Sequence, residues 1–336
     1  MQVRRVFWTA MVLLLVTTVL SFAGGSAEAE EDEGMQPFRV AVVMPSATTD
    51  TAFSQSMYSA LLDVQEAMGG ESAMELVYSE NMFNVPDASA AVRDYASQGY
   101  DLVIAHGSQY GTFVEDLAPD FPDTAFAWGT DVDTFGLDNV YAYTAAAEEG
   151  GFVNGVMAGI MTETGRIGVT GPVDVGDART YISGFVQGVE SVNPEARVSQ
   201  TWTGSFSDVA LMTAAAQTHI SNDADILTGS SQSVVGSVGA AQEAGDVLWF
   251  GTQADQTTLA PELVVASQVY DWRDMLTEMI SNAQNGIYGG ESYILSLSNG
   301  GLRMAYNEDF DIPQEAVDSA EEAIQGIIDG SIIVNP

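Results

Sequence analysis

The segment FRVAVVMPSATTDTAFSQSMYSALLDVQEAMGG, residues 38–70, predicts a buried strand followed by a helix. Residues 38–44 are almost all apolar and rich in β-branched side chains, and they end at a proline, as in a strand covered on both faces of a parallel sheet. Apolar residues then recur at helical spacing from Phe53 to Met68, after Asp50, which is typical of a helix start. Gly69 and Gly70 end the helix.

The same alternation continues along most of the chain. It predicts strands at 76–78, 102–105, 125–128, 167–170, 226–228 and 247–251, and helices at 87–98, 148–161, 179–192 and 234–244, with a final amphipathic helix at 313–328. Such alternation is typical of an α/β fold with mostly parallel sheets. Because one continuous doubly wound sheet of this size would be large, and the pattern restarts after Tyr143, we predict two similar lobes.

The chain is strongly acidic. Its 336 residues contain 47 Asp and Glu, nine Arg and no Lys, which gives a formal charge of -38. A protein of this charge repels other polyanions, so nucleic acid is excluded as a partner. The acid excess without Lys indicates adaptation to high salt; an acidic exported protein without such adaptation is the alternative. Hydrophobic residues make up 46% of the chain, enough to bury a core.

Several classes of enzyme lack the residues they need. There is no Cys, which excludes disulfides, thiolate metal sites and a cysteine nucleophile, and two His cannot form a three-histidine zinc site. The sequence has neither a Gly-x-Ser-x-Gly motif nor a phosphate-binding loop. We therefore expect no metal, no cofactor and no catalysis, with a carboxylate-dependent glycosidase as the enzyme alternative.

The N-terminus has the features of an export signal. Arg4 and Arg5 precede the apolar run 6–20, and Ala27-Glu28-Ala29 supplies a small-x-small cleavage pattern. We predict a signal peptide at 1–29, cleaved in the mature protein, and an acidic linker at 30–37. The apolar run is too short for a membrane span, although an uncleaved anchor is the alternative. Without Cys there is no cysteine lipid anchor, so we expect a protein at the periplasmic or extracellular face of the membrane.

The ends of the predicted strands indicate where a ligand would bind. In open parallel sheets, ligands bind beyond the carboxyl ends of the strands. Asp50 and Ser54 follow the first strand, where they could contact a ligand or cap the helix. His106, with Gly107 and Ser108, closes another strand and is open to a binding or a structural role.

Other strand ends add further candidates. Trp128 could form a cleft wall or belong to the core, and Ser230 and Ser231 are hydroxyl donors after a later strand. Gly151, Gly155 and Gly159 fall on one helical face, which predicts close approach to a neighbouring backbone.

An ordered set of motifs runs through the chain. It consists of residues 50–56 (DTAFSQS), 148–159 (EEGGFVNGVMAG), 164–169 (TGRIGV), 184–189 (GFVQGV), 192–194 (VNP), 204–208 (GSFSD) and 251–256 (GTQADQ). In this order they resemble the basic membrane protein family of ABC-transporter substrate-binding proteins, whose best known members are purine nucleoside receptors. The resemblance implies a two-lobed periplasmic-binding-protein fold of type I. We expect lobe 1 at 38–145 plus about 271–300, and lobe 2 at 146–270 plus about 301–336.

The resemblance also implies how a ligand would be held. It points to Phe53 and Phe206 as the rings that sandwich a base, and stacking on such rings suits any flat heterocycle. Ser54 stands where the family usually has Asn. Gln253 stands where the family commonly has an Asp that grips ribose hydroxyls, and the Lys that completes that grip is absent. Asp255 is open to a structural role.

These departures favour a free base or another flat heterocycle as the ligand, with nucleosides as the alternative. Trp272, after Asp271, replaces the basic segment of the family. The predicted ligand-binding residues are Asp50, Phe53, Ser54, Gln55, His106, Gly107, Ser108, Trp128, Phe206, Ser230, Gln253, Asp255 and Trp272.

We expect an exported, monomeric binding protein that captures a purine-like small molecule between its lobes. It would deliver the ligand to ABC permease subunits, which would be its only link to the membrane. A ligand-sensing receptor module and a sugar-binding protein of the same fold are the alternatives.

Overall fold

Two six-stranded sheets organise the protein in a computed structural model that describes residues 36–336. This architecture confirms the predicted α/β fold with two lobes. The predicted signal peptide, and all of the predicted acidic linker except Gln36 and Pro37, lie outside the described residues. Within residues 36–336, we find no helix with the length and apolar character needed to cross a bilayer.

Strands and helices alternate along most of the chain. The strands are β1 (Phe38–Val43), β2 (Met74–Ser79), β3 (Leu102–His106), β4 (Ala125–Gly129), β5 (Val140–Ala145), β6 (Arg166–Gly171), β7 (Arg197–Trp202), β8 (Ile226–Gly229), β9 (Leu248–Gln253), β10 (Val264–Tyr270), β11 (Ser292–Leu295) and β12 (Leu302–Tyr306). The helices are α1 (Phe53–Met68), α2 (Val85–Ser97), α3 (Gly111–Leu117), α4 (Ala147–Met161), α5 (Gly176–Val192), α6 (Val209–Ser221), α7 (Val235–Ala244), α8 (Arg273–Gln284) and α9 (Gln314–Ile328).

The first sheet has the strand order β11-β5-β4-β3-β1-β2, and its strands are parallel. Successive residues of β1 face opposite sides: Val40 and Val42 pack in one core cluster, whereas Ala41 and Val43 pack in another. Helices α1 and α8 cover the first side, and α2 and α3 cover the second. Burial on both faces explains why the strand is an uninterrupted apolar run.

The second sheet has the strand order β12-β10-β9-β8-β6-β7. It is parallel except for β12, which pairs antiparallel with β10. Helices α4, α5 and α9 pack on one side, while α6 and α7 pack on the other. Three connections join the sheets, from β5 to α4, from β10 to α8 and from β11 to β12. We call each sheet with its helices a lobe.

Several strands have no counterpart among the predicted elements. Strands β7, β11 and β12 lie at or next to a sheet edge, where one side is open to water, and their sequences are not continuous apolar runs. Strand β10 is fully buried, but Ser267 and Gln268 interrupt its apolar pattern. Helix α2 begins at Val85, before the predicted start, because Asn84 caps it by accepting a hydrogen bond from the Asp87 N–H.

Helices α4 and α5 approach each other through glycines on both sides. A Cβ at Gly155 would lie 2.1 Å from the Phe185 carbonyl oxygen, and one at Gly188 would lie 2.1 Å from the Phe152 carbonyl oxygen. A Cβ at Gly151 would likewise clash with the backbone carbonyl of Tyr181. The predicted packing role of the α4 glycines is therefore confirmed.

We predict that Gly155→Ala lowers the free energy of unfolding by about 3 kcal/mol, because the added methyl group forces the two backbones apart. The matched control is Gly239→Ala in the exposed part of α7, where nothing lies within 4 Å of the new Cβ. That change should stabilise the protein by about 0.5–1 kcal/mol, since alanine is the better helix former. Urea unfolding measures both; equal effects of the two substitutions would contradict the packing role of Gly155.

Candidate functional site

The carboxyl ends of the strands in the two sheets line one common cleft. It lies between the lobes. The first lobe contributes Pro45, Phe53, Phe83, Gly107, Ser108, Gln109 and Thr130, and the second contributes Asp177, Ala178, Phe206, Ser230, Ser231, Gln232 and Gln253. Of the predicted residues, Phe53, Gly107, Ser108, Phe206, Ser230 and Gln253 therefore lie together at this cleft. Their contact with a ligand stays a prediction.

The aromatic wall of the first lobe is built on His106. The Phe53 ring stacks on the His106 imidazole with ring centroids 3.7 Å apart and an angle of 11° between the planes. Tyr143 lies parallel on the imidazole at 5.9 Å, and Trp272 meets it edge-on. His106 is fully buried and does not line the cleft. It supports the Phe53 ring, which lines the cleft.

Hydrogen bonds fix the tautomer of His106. Its Nε2 is 3.1 Å from the Phe53 carbonyl oxygen, and its Nδ1 is 2.8 Å from the Tyr143 hydroxyl. Because a carbonyl can only accept, Nε2 carries the hydrogen and Nδ1 accepts from the tyrosine. Burial lowers the pKa of His106 to about 3, so the imidazole is neutral near pH 7.

Asp50 is committed to the start of α1. Its carboxylate accepts hydrogen bonds from the backbone N–H groups of Ala52, Ser54 and Gln55 at 2.8–3.1 Å, and from the Ser46 hydroxyl at 2.5 Å. These donors would otherwise be unsatisfied at the first turn of the helix. Burial raises the pKa of Asp50 and the hydrogen bonds oppose that shift. The side chain is buried and does not line the cleft.

Other predicted residues lie near the cleft without lining it. Ser54 is fully buried, with its hydroxyl 2.6 Å from that of Ser46. The Trp272 indole is buried and donates to the Ser56 hydroxyl, and the Trp128 indole donates to the Asp133 carbonyl oxygen. Both indoles are part of the core of the first lobe.

Gln55 and Asp255 line a second space between the lobes. Asp271, Arg273 and Arg303 also line it. Gln55 accepts from the Thr51 N–H at 2.9 Å, and Asp255 accepts from the Thr257 N–H at 2.9 Å. Both contacts are local turns of the backbone.

The wall of the second lobe is polar and interconnected. The Gln253 Nε2 donates to Asp177 Oδ2 at 3.0 Å and lies 3.4 Å from the Ser230 hydroxyl. The Tyr270 hydroxyl donates to the same Asp177 oxygen at 3.2 Å. Burial raises the pKa of Asp177, while the hydrogen bonds from Gln253 and Tyr270 act in the opposite direction. The wall thus places one carboxylate beside one amide.

Phe206 is the aromatic residue of this wall. It lies in the loop between β7 and α6 and is partly buried. Its carbonyl oxygen accepts from the hydroxyls of Ser231 and Ser233 at 2.8 and 3.2 Å. The hydroxyls therefore fix the backbone of the loop independently of the phenyl ring, which belongs to the cleft.

The cleft has the chemistry of a binding site for a small polar aromatic molecule. It offers three phenyl rings, hydroxyls, amides and a single carboxylate, and no basic side chain lines it. No cluster of three or more His, Asp or Glu side chains with metal-binding geometry occurs within residues 36–336.

Comparison with known proteins agrees with this geometry. The family described as ABC transporter substrate-binding protein, PnrA-like, matches residues 38–335. The chain belongs to this family. The resemblance inferred from the sequence motifs is therefore confirmed.

The known proteins that this chain resembles are distant in sequence. A purine-binding protein of Brucella abortus is 27% identical over 87% of this chain and 81% of that protein. The ABC transporter nucleoside-binding protein BmpA of Lactococcus lactis is 25% identical over 99% of each chain. The crystal structure of an ABC transporter solute-binding protein from Aeropyrum pernix shares the fold, with a TM-score of 0.77 over 89% of this chain and 94% of that one, at 19% identity.

Within this family member, the structure adds cleft residues that the sequence reasoning missed. Asp177 is the main one, and the others are Pro45, Phe83, Gln109, Thr130, Ala178 and Gln232. Asp177 follows β6 and opens α5, so the rule that ligands bind beyond strand carboxyl ends would have found it.

We predict that His106 makes the protein less stable in mild acid. The unfolded chain binds a proton on this residue below about pH 6.5, while the folded chain does so only near pH 3, so stability falls as the pH drops between these values. The slope is at most about 1.4 kcal/mol per pH unit.

The measurement is urea unfolding from pH 7 to pH 4 for wild type and His106→Gln. Buried carboxyl groups with raised pKa, such as Asp50 and Asp177, act in the opposite sense but are present in both proteins, so the difference isolates His106. Parallel pH profiles for the two proteins would show that the imidazole is not held neutral by the fold.

Proposed function

We propose that this ABC transporter substrate-binding protein captures a purine-type ligand, a free base or a nucleoside, between its lobes and delivers it to a permease. The observation that carries the proposal is that Phe53 of the first lobe and Phe206 of the second line the same cleft. Stacking of a flat ring between two aromatic side chains from opposite lobes links ligand binding to lobe closure. The names of the relatives from Brucella abortus and Lactococcus lactis agree with a ligand of this type.

The support behind Phe53 favours a rigid stacking surface. Its ring is 4% exposed and rests on the neutral His106 imidazole, which Tyr143 and Trp272 hold from two further sides. A ring that is already fixed loses little conformational freedom when a ligand stacks on it. The first lobe therefore supplies a preformed platform, and the second lobe brings Phe206 to it.

The charge of the cleft favours a neutral ligand. Asp177 is the ionisable residue among those that line it, and the whole protein carries a large negative charge. A phosphorylated nucleotide would meet this field without a basic side chain to pair with its phosphate. Neutral bases and nucleosides meet no such penalty.

A contact between the lobes supports a closed, ligand-trapping arrangement. The Gln256 Nε2, on the second lobe, donates to the Thr51 carbonyl oxygen of the first lobe at 3.1 Å. Gln256 is fully buried, and its Oε1 accepts from the Trp249 indole at 2.7 Å. The contact joins the two lobes two residues before Phe53 in the sequence. In our proposal the closed surface is what the permease recognises.

The remaining parts of the proposal are based on the amino-acid sequence. The mature protein acts as a monomer at the periplasmic or extracellular face of the membrane, after cleavage of a signal peptide at residues 1–29. It performs no chemistry on the ligand. The loss of Asp at Gln253, and of Lys from the chain, favours a free base over a nucleoside.

We predict that Phe206→Ala weakens purine binding about 10- to 100-fold, because one face of the ligand loses its stacking partner. The backbone of the loop should keep its place, since the bonds from Ser231 and Ser233 go to the carbonyl oxygen of Phe206. Phe206→Trp is the matched control and should retain affinity. Isothermal titration calorimetry in high salt with guanine, adenine, hypoxanthine and their nucleosides makes the measurement; purine affinity unchanged by the alanine substitution would refute the stacking role.

A further inference from the structure

One charged side chain in the cleft, that of Asp177, takes no part in the proposed stacking of aromatic rings on the ligand. Asp177 is the second residue of α5, and Gly176 before it has a φ of +57° that turns the chain into the helix at the cleft wall. Its carboxylate lies among the residues that line the cleft. It is held there by side chains from two other elements, Gln253 of β9 and Tyr270 of β10.

The hydrogen bonds fix which atoms remain available. The Gln253 amide nitrogen donates to Asp177 Oδ2, so the amide oxygen is turned away from that atom. The Tyr270 hydroxyl also donates to Oδ2. Within residues 36–336, no side chain donates to the other oxygen, Oδ1.

Gln253 supplies a second, independent acceptor. The residue lines the cleft and is 3% exposed, and its Oε1 is buried without any hydrogen-bond partner among the described residues. A buried acceptor without a partner is costly, so native proteins rarely keep one unless something else satisfies it. A donor on the ligand would do so.

A purely structural role does not explain this arrangement. Acidic residues in the first turn of a helix are common because they interact favourably with the helix dipole. Asp87 in α2 is such a residue: it is exposed and its side chain is free of other elements. Asp177, in contrast, is partly buried at the cleft and is oriented by two neutral donors from adjacent strands.

We propose that Asp177 Oδ1 and Gln253 Oε1 bind the ligand together through an edge that carries two adjacent hydrogen-bond donors. This inference rests on the proposed purine function and names the part of the ligand that is read. The N1–H and 2-amino group of a guanine-type base form such an edge, and the cis-diol of a ribose is the other source of paired donors. Two acceptors discriminate against an edge that presents acceptors, because the atoms would then face each other unpaired.

The proposal also accounts for the departure at Gln253. The family resemblance places a carboxylate at that position, whereas this chain has an amide. Asp177 returns a carboxylate to the same wall from the start of α5, in direct contact with Gln253. The wall of the second lobe therefore carries its carboxylate at the start of α5 and not at the end of β9.

The test is Asp177→Asn, studied by isothermal titration calorimetry with guanine, hypoxanthine, guanosine and 2′,3′-dideoxyguanosine. The Asn carbonyl oxygen can still accept from Gln253 and Tyr270, so its amide nitrogen replaces Oδ1 and turns an acceptor toward the cleft into a donor. We expect affinity for guanine to fall about 10- to 100-fold, with a smaller loss for hypoxanthine, which lacks the 2-amino group. Asp87→Asn is the matched control for removing a first-turn acid and should bind as wild type.

The ligand series separates the possible outcomes. If Asp177→Asn weakens guanosine but neither guanine nor the dideoxynucleoside, the paired donors are the ribose diol. If wild type binds these purines and Asp177→Asn binds them equally well, the inference is wrong while the proposed function stands. If wild type binds none of them, the proposed function is wrong and the inference falls with it.

A second variant covers the case in which Asp177→Asn does not fold. Gln253 has a φ of +73°, a left-handed conformation that Asn tolerates better than most residues. Gln253→Asn keeps the amide but withdraws its oxygen from the cleft by one methylene. It should weaken the same ligand that Asp177→Asn is expected to weaken, and unchanged affinity for every purine would overturn the inference.

Discussion

Parallel pairing of the strands within each sheet is the constraint on which the site depends. In a parallel sheet all strands end at the same edge, so loops far apart in sequence gather there. In this chain the loop after β3 brings Ser108 to the cleft, and the end of β9 brings Gln253 to it from the other lobe. Neither lobe forms the site alone, and the three connections between the sheets hold the two edges opposite each other.

The two walls of the cleft differ in how they are built. On the first lobe, a stack of rings holds Phe53 through dispersion and two hydrogen bonds to His106. Such a surface is insensitive to the polar pattern of a ligand. On the second lobe, Asp177, Gln253 and Ser230 form a hydrogen-bonded chain, which is sensitive to where a ligand carries donors and acceptors. In the function that we propose, the first wall supplies mainly affinity and the second wall mainly selectivity.

The sequence predicts the fold better than the site because burial leaves a periodic signal and a cleft does not. The run at β1 and the helical spacing in α1 follow directly from what each face packs against. The sequence does not predict strand β10, because Gln268 in it is polar and yet buried. The Gln268 amide oxygen accepts a hydrogen bond from the Thr252 hydroxyl. The position of His106 behind Phe53 is likewise invisible in sequence, since a strand end specifies an edge of the sheet and not which side chain reaches the open space.

Asp177 is a second residue whose place in the site could not be predicted in full from the sequence. Its position after β6 is available from the strand pattern, but its significance comes from Gln253 and Tyr270, which lie 76 and 93 residues away in sequence. A substitution at one family position can be balanced by a residue on a different element, because the cleft responds to where a carboxylate lies and not to which strand carries it. Gln253 alone indicates that a charge is missing, whereas Gln253 together with its hydrogen-bond partner shows that a carboxylate, Asp177, lies on the same wall.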